Sequence, residues 1–351
     1  MARVVLIAPG RGTYTRSELG YLQRFSDHSR RKDRDQVVRQ ADELRKASGG
    51  RLISDLDSAD RFRSSLHLVG EEASALIFTC TAADAALISP QHQVVAVLGN
   101  SMGWYSALHL CGALDFGDAF RLVDAMGAFQ RGNIQGGQII YPIVDAEWRP
   151  LAEAEEELLT IVNQVRQKGE GFWVGLSIRL GGYRVLAGTQ QGLDELIRQL
   201  PKRVLGGTEY PFQLAQHSAF HTPLMGNASR YGLQHLDGLQ WRQPRCPLID
   251  GCGKIWRPYQ SIAQELRHYT FSTQVLEPFD FSVALRVAVR EFNPDHLVLL
   301  GPGEALGGTI AQLLIAEGWR GLHSKGDFQA AQQGDQPTLV SMNRSQARLL
   351  D

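Results

Sequence analysis

The sequence predicts an α/β fold: a parallel-sheet core that carries a smaller inserted subdomain. Three observations lead there. Short apolar runs end in glycine-containing turns near residues 3–10, 94–110 and 296–319, and the latter two pass into helix-forming stretches. Between residues 130 and 215 the order changes to strand, helix, strand, strand, helix and a sixth short element, the split ferredoxin-like pattern. The chain has 351 residues, enough for two domains or for one large domain with an insert. The boundaries that follow are a core of residues 1–129 and 216–351 and a ferredoxin-like subdomain of residues 130–215.

Taken in order, "RVVLIA" at residues 3–8 reads as a buried strand closed by Pro9-Gly10. Residues 27–47 are densely charged and predict a solvated surface helix or helix-loop segment, with a basic rim for an acidic partner as the sharper alternative. Residues 65–88 are rich in alanine and apolar side chains and predict a largely buried helix. "VVAVL" at 94–98 is a strand, "GNSMG" a turn, and a helix starts near Trp104. In the insert, "GGQIIYPIV" alternates like a strand, and "PLAEAEEELLTIVNQVRQKG" is an amphipathic helix opened by proline and closed by glycine. "FWVGLSIRL" and "YRVLAG" are two strands joined by Gly-Gly, "QQGLDELIRQL" is the second helix, and "YPFQLAQHS" supplies the sixth element. The tail returns to strand, glycine turn and helix in "HLVLLGPGEALGGTIAQLLIAEGW".

Composition narrows the function classes. Hydrophobic residues make up 43% and charged residues 21%, as in ordinary globular proteins. A net charge of −1 gives no global field for nucleic acid or for an anionic membrane. No apolar run approaches the roughly 20 residues of a membrane helix, and "MARVVLIAPG" reads as a first strand rather than a signal peptide. Cys80, Cys111, Cys246 and Cys252 lack metal-ligand spacing, so no metal site is expected and a reducing, cytoplasmic compartment fits.

One motif carries chemistry. Gly99-Asn100-Ser101-Met102-Gly103 fits G-x-S-x-G in the required setting of strand, sharp turn and helix. Such a turn lifts the serine hydroxyl out of the fold, and the helix that follows aims its free N–H groups at a developing oxyanion. A nucleophilic serine needs a base. His217 and His221 in "HSAFHTPLM", His296 and His323 are candidates; the chain order Ser…Asp…His would select His323 with Asp295 or Asp250, and spacing alone does not choose. "GPGEALGG" at 301–308 does not match the Walker spacing and reads as a structural turn rather than a phosphate loop.

Five segments, in order and over nearly the whole chain, resemble the malonyl-CoA:acyl carrier protein transacylases and the acyltransferase domains of polyketide synthases. "LIAPGRGTY" resembles the family's F-P-G-Q-G opening, and "VLGNSMGWYSAL" its G-H-S-x-G-E-Y-x-A-L elbow. "CGALDFGDAFRLVDAMGAFQ" follows the helix that ends V-R-x-R-G, "HSAFHTPLM" the segment of the catalytic histidine, and "LVLLGPGEALGG" the G-P-G-x-x-L-x-G turn. The resemblance implies an α/β-hydrolase-like core with an inserted ferredoxin-like subdomain. It implies Ser101 as the acylated nucleophile, His221 as the base, and the backbone N–H groups of Arg11 and Met102 as the oxyanion hole. The imidazole would be oriented by backbone carbonyls near Tyr269 to Ser272, with no third acid. The implied reaction moves an acyl group from coenzyme A to the phosphopantetheine thiol of an acyl carrier protein. No cofactor is bound; acyl-CoA or acyl-phosphopantetheine is substrate, and the basic positions in residues 30–46 are a candidate carrier docking patch.

The departures from the family pattern bear on the substrate. The arginine that clamps the malonyl carboxylate aligns with Met126, the other arginine of that motif with Asp124, the elbow histidine with Asn100, and the glutamate after the elbow with Trp104. These four are the expected substrate-pocket residues. Leaving a buried carboxylate without its cation costs of the order of 2–5 kcal/mol, whereas methionine offers a soft apolar wall. The expected acyl group is therefore uncharged, acetyl or longer, rather than malonyl. Two other functions stay open: an acyl hydrolase (thioesterase) acting on carrier proteins, and a catalytically quiet docking component.

Overall fold

The computed structural model describes residues 1–132 and 134–350. Among the described residues, thirteen strands are distributed over three sheets. In chain order they are β1 (Arg3–Ala8), β2 (Gln93–Gly99), β3 (Gly137–Pro142), β4 (Val174–Leu180), β5 (Tyr183–Gly188), β6 (Arg203–Leu205), β7 (Thr208–Tyr210), β8 (Phe212–Leu214), β9 (Leu248–Ile249), β10 (Ile255–Trp256), β11 (Phe279–Asp280), β12 (His296–Leu299) and β13 (Leu339–Ser341).

The core sheet runs β10-β9-β2-β1-β12-β13 and is parallel except for the β9–β10 hairpin. Its central strands are apolar on both faces, as a sheet covered by helices on both sides requires. Val4, Leu6, Val97 and Val298 face one layer, formed with the helices Gly70–Leu87 and Phe116–Ala128. Val5, Ile7, Leu98 and Leu297 face the other, formed with the helices Phe281–Phe292 and Ala305–Ala316. The helix Gly70–Leu87 is buried on almost every side because it is sandwiched in the first layer. It crosses the helix Phe116–Ala128 at two glycines: a Cβ on Gly127 would lie 2.5 Å from the Gly70 carbonyl oxygen.

The insert forms the second sheet, ordered β11-β4-β5-β3-β8. Its β3, β4, β5 and β8 are antiparallel neighbours and, with the helices Ala154–Arg166 and Gln190–Gln199, follow the β-α-β-β-α-β order. One sheet face packs those helices through Ile139, Val174, Leu186, Leu193 and Leu196. The other presents Ile178, Leu180 and Val185 to the core unit. No strand is expected from the sequence at Phe279–Asp280, because a two-residue strand leaves no alternation to read. That strand, β11, comes from the C-terminal half and pairs with β4, so the two units share a sheet.

The charged segment 27–47 differs from a solvated helix in one respect. The helix Arg31–Ala47 buries Arg34, Ala41 and Arg45. Arg30 and Arg31 pair with Asp33 and Asp35 respectively, which offsets the basic rim. Among the described residues, no helix is long and apolar enough to cross a membrane, and no cluster of three metal-ligating side chains occurs.

Candidate active site

Ser101 stands between β2 and the helix Gly103–Leu110 with φ of 54°, in the left-handed region that side chains rarely occupy. The turn is held by close packing. A Cβ on Gly99 would fall 2.1 Å from the Gly103 carbonyl, and one on Gly103 would fall 2.3 Å from the Ala8 oxygen. Both glycines of the motif are therefore steric requirements.

His221 also has a positive φ, 63°, and is fully buried. Its Nε2 lies 2.8 Å from Ser101 Oγ. Its Nδ1 lies 2.6 Å from the backbone carbonyl oxygen of Gln274, so Nδ1–H donates there and Nε2 is left free to accept the serine proton. The His221 backbone N–H donates to the Val275 carbonyl at 2.8 Å. Burial drives the imidazole pKa down to about 4, with the Gln274 carbonyl pulling the other way, so the ring is neutral near pH 7. The preceding segment is fixed from the insert: Gln138 and Ser177 both donate to the Phe220 carbonyl.

Gln274 is the residue the sequence missed. Its carbonyl orients His221, its side-chain amide donates to the Ser101 carbonyl at 3.1 Å, and Tyr105 Oη lies 3.4 Å from its Oε1. The orienting carbonyl was expected within Tyr269–Ser272; it sits two residues further on. A backbone carbonyl leaves no side-chain signature, so only a better alignment of that segment would have found it.

Ser101 and His221 open into a cavity of about 670 Å³ between the core and the insert. Arg11 and Met102, the expected oxyanion donors, both lie on its wall, and among the described residues neither backbone N–H is spent on another acceptor. The Arg11 side chain is a strut. Nη1 donates to Gln130 Oε1 at 2.6 Å, and Nη2 to the carbonyls of Leu68 and Gln216 at 3.0 and 2.9 Å. All three acceptors are neutral. Burial lowers its pKa to about 10, which leaves it charged at neutral pH.

Of the four expected pocket residues, two line the cavity and two do not. Met126 and Asn100 do. Met126 is 2% exposed and shares the wall with Val123 and Tyr105. Trp104 instead points into the core, its Nε1 donating to Thr270 Oγ1 at 3.0 Å and its ring meeting Tyr269 edge-on. Successive helix residues point about 100° apart, so Tyr105 takes the cavity side. Asp124 likewise faces away: it pairs at 2.5 Å with Arg45, which also holds Glu72. This cluster joins three helices, and Asp124 is not among the residues that line the cavity.

The other histidines and acids fall elsewhere. His296 binds the Pro337 carbonyl through Nδ1, the His323 backbone is tied to Asp327, Asp295 accepts from the Arg3 N–H, and Asp250 accepts from Trp256 Nε1. None of the four lines the cavity. His217 does line it, held by the Ala215 carbonyl at 2.7 Å, and burial with the nearby Arg11 charge lowers its pKa to about 3. The Gly301 N–H is spent on Asp84 Oδ2 at 2.7 Å, and Gly303, at φ 75°, abuts the Thr13 carbonyl, so the 301–308 turn is closed by protein contacts.

No family model matches the chain. The malonyl CoA-acyl carrier protein transacylase of Bacillus subtilis is 24% identical over 216 residues, which are 61% of this chain and 63% of that protein, just under two thirds of its length. The acyl-carrier-protein S-malonyltransferase of Burkholderia pseudomallei superposes with a TM-score of 0.73 at 18% identity, covering 99% of this chain and 98% of that one. A malonyl-transacylase solved in complex with its type II PKS acyl-carrier protein gives a TM-score of 0.72 at 17% identity, covering 99% of each chain. The chain thus has the malonyl-transacylase fold over its whole length, and its relatives and structural neighbours are enzymes of that kind.

Proposed function

We propose that the protein is an acyltransferase that loads an acyl carrier protein through an acyl-Ser101 intermediate. The observation that carries this reading is the 2.8 Å contact between Ser101 Oγ and a neutral, carbonyl-oriented His221 on the wall of a cavity of about 670 Å³. His221 Nε2 takes the Ser101 proton as Oγ bonds to the thioester carbon. The oxyanion rests on the N–H groups of Arg11 and Met102. The carbon–sulfur bond then breaks, and coenzyme A leaves as a thiol with the proton from His221. The carrier's phosphopantetheine thiol gives its proton to His221, attacks the ester carbonyl, and Ser101 Oγ is reprotonated as it leaves. Each step uses only these side chains and backbone groups, with acyl-CoA and carrier protein as substrates, and the reaction fits a cytoplasmic setting.

The acyl group in this reading is uncharged. Met126 puts a thioether where a carboxylate clamp would stand, among Val123, Tyr105 and Met102. Malonyl transfer is the second reading, and one observation favours it: among the described residues, the Arg11 cation on the cavity wall has only neutral partners. Intact-mass measurement separates the two. Incubation with acetyl-CoA and with malonyl-CoA gives a faster +acetyl adduct if the group is uncharged. A faster malonyl adduct overturns the uncharged assignment, and no adduct from any thioester overturns the acyltransferase reading itself.

A further inference from the structure

Besides the Met126, Val123, Tyr105 and Met102 wall, the cavity has two further parts of different chemistry. One is polar: Arg11, Gly12, Thr15, Gln130 and His217, linked by the Arg11–Gln130 bond and by the approach of Gly12 to the His217 ring. The other is mostly apolar: Ile140, Ile178, Leu180, Val185 and Leu306, with Gln138, Tyr183 and Thr309 on the same strands and helix. Here Val185 stands opposite both Ile140 and Ile178 in the sheet register, and Ile178, Leu180, Val185 and Leu306 belong to one packed cluster. This second part is a trench between the inner face of the inserted sheet and the start of the helix Ala305–Ala316.

A phosphopantetheine arm carries two amides and a hydroxyl, and burying them without partners is costly. The polar wall suits that arm. The trench offers apolar side chains and suits a saturated chain. Its helix wall also carries a gap. Gly308 borders both this cavity and a second one lined by Trp148 and Phe328, and a Cβ added there would meet nothing within 4 Å. Glycine inside a helix is unfavourable relative to most residues, and no close approach of backbone requires it at this position.

Resting on the acyltransferase reading above, we infer that the trench from Gln138 to Gly308 holds the aliphatic tail of the acyl group, which makes medium-chain acyl thioesters the preferred donors. The whole cavity, at about 670 Å³, has the size that buries most of a drug-sized molecule. Each methylene moved from water into such a trench raises the loading rate roughly fourfold.

The experiment is the rate of Ser101 acylation, read by intact mass, for straight-chain acyl-CoA donors from two to ten carbons. The rate is expected to climb with chain length through at least eight carbons. Gly308→Leu, which fills the gap with a better helix former, is expected to lower the octanoyl-to-acetyl rate ratio by about tenfold or more, and Gly308→Val by less. Because the ratio is taken within one protein, a loss of folded enzyme does not imitate the effect. A rate that is flat or falls with chain length overturns the tail assignment. An unchanged ratio in both variants also overturns it, and means the trench takes the pantetheine arm. In either case acetyl loading still stands for the acyl-enzyme step of the acyltransferase reading, which fails if no donor acylates Ser101 or if the acyl group goes to water rather than to the carrier.

Discussion

The Nδ1 of His221 lies 2.6 Å from the backbone carbonyl oxygen of Gln274, so a peptide carbonyl occupies the position that a carboxylate holds in a serine triad. A carbonyl fixes the tautomer without adding negative charge. The imidazolium is therefore less stabilised, and burial sets the pKa low, at about 4. The base form of His221 then persists well below the ordinary histidine range. The rate of Ser101 acylation should stay level from pH 7.5 down to pH 5.5 and fall only as pH approaches about 4. A stopped acylation assay across this range checks it; half-loss near pH 6.5 would mean that the ring ionises as in water. Asp250→Asn and Asp295→Asn should change the rate less than about twofold, since neither acid reaches the imidazole.

Met126 tests the acyl pocket. It is 2% exposed and on the cavity wall, so Met126→Arg places a cation on that wall. Malonyl loading relative to acetyl loading should rise at least about tenfold, in line with a charge-assisted pair. Arg11→Gln provides the counterpart. If malonyl loading of the unmodified protein drops with this change while acetyl loading does not, the Arg11 cation rather than position 126 governs charge selection.

Asp124 should affect stability and leave selectivity alone. It shares fully buried Arg45 with Glu72, and removing one partner of such a cluster leaves charge uncompensated. Asp124→Ala should lower unfolding free energy by about 2 kcal/mol or more, measured by urea denaturation. The malonyl-to-acetyl loading ratio should not move. A shift in that ratio would place Asp124 in contact with substrate, against its observed pairing.

The nucleophile turn was legible because its demands are local: an apolar strand, two glycines that tolerate no Cβ, and a helix, all within a few residues. The insert was legible because strand alternation and amphipathic periodicity mark each of its elements. His221 was not legible from spacing among ten histidines and came only from the likeness of "HSAFHTPLM". Gln274 escaped because a carbonyl's role is independent of the side chain above it. Trp104 and Asp124 were misplaced because aligned position says nothing about helix face. Asp124 and Met126 are about 200° apart around their helix, so one lines the cavity and the other binds Arg45. The short strand β11 depends on β4, far away in sequence, for its existence.

The central claim is a transferable acyl group on Ser101. The direct measurement isolates the acylated protein after brief exposure to acetyl-CoA, locates the adduct by peptide mass, and then adds holo acyl carrier protein. The adduct should sit on the Ser101 peptide, be absent in Ser101→Ala, survive in buffer for much longer than the transfer takes, and reappear quantitatively on the carrier's thiol. Rapid release as free acid with no acyl carrier formed would contradict transfer and make the protein a hydrolase; failure of any thioester to label Ser101 would contradict the enzyme altogether.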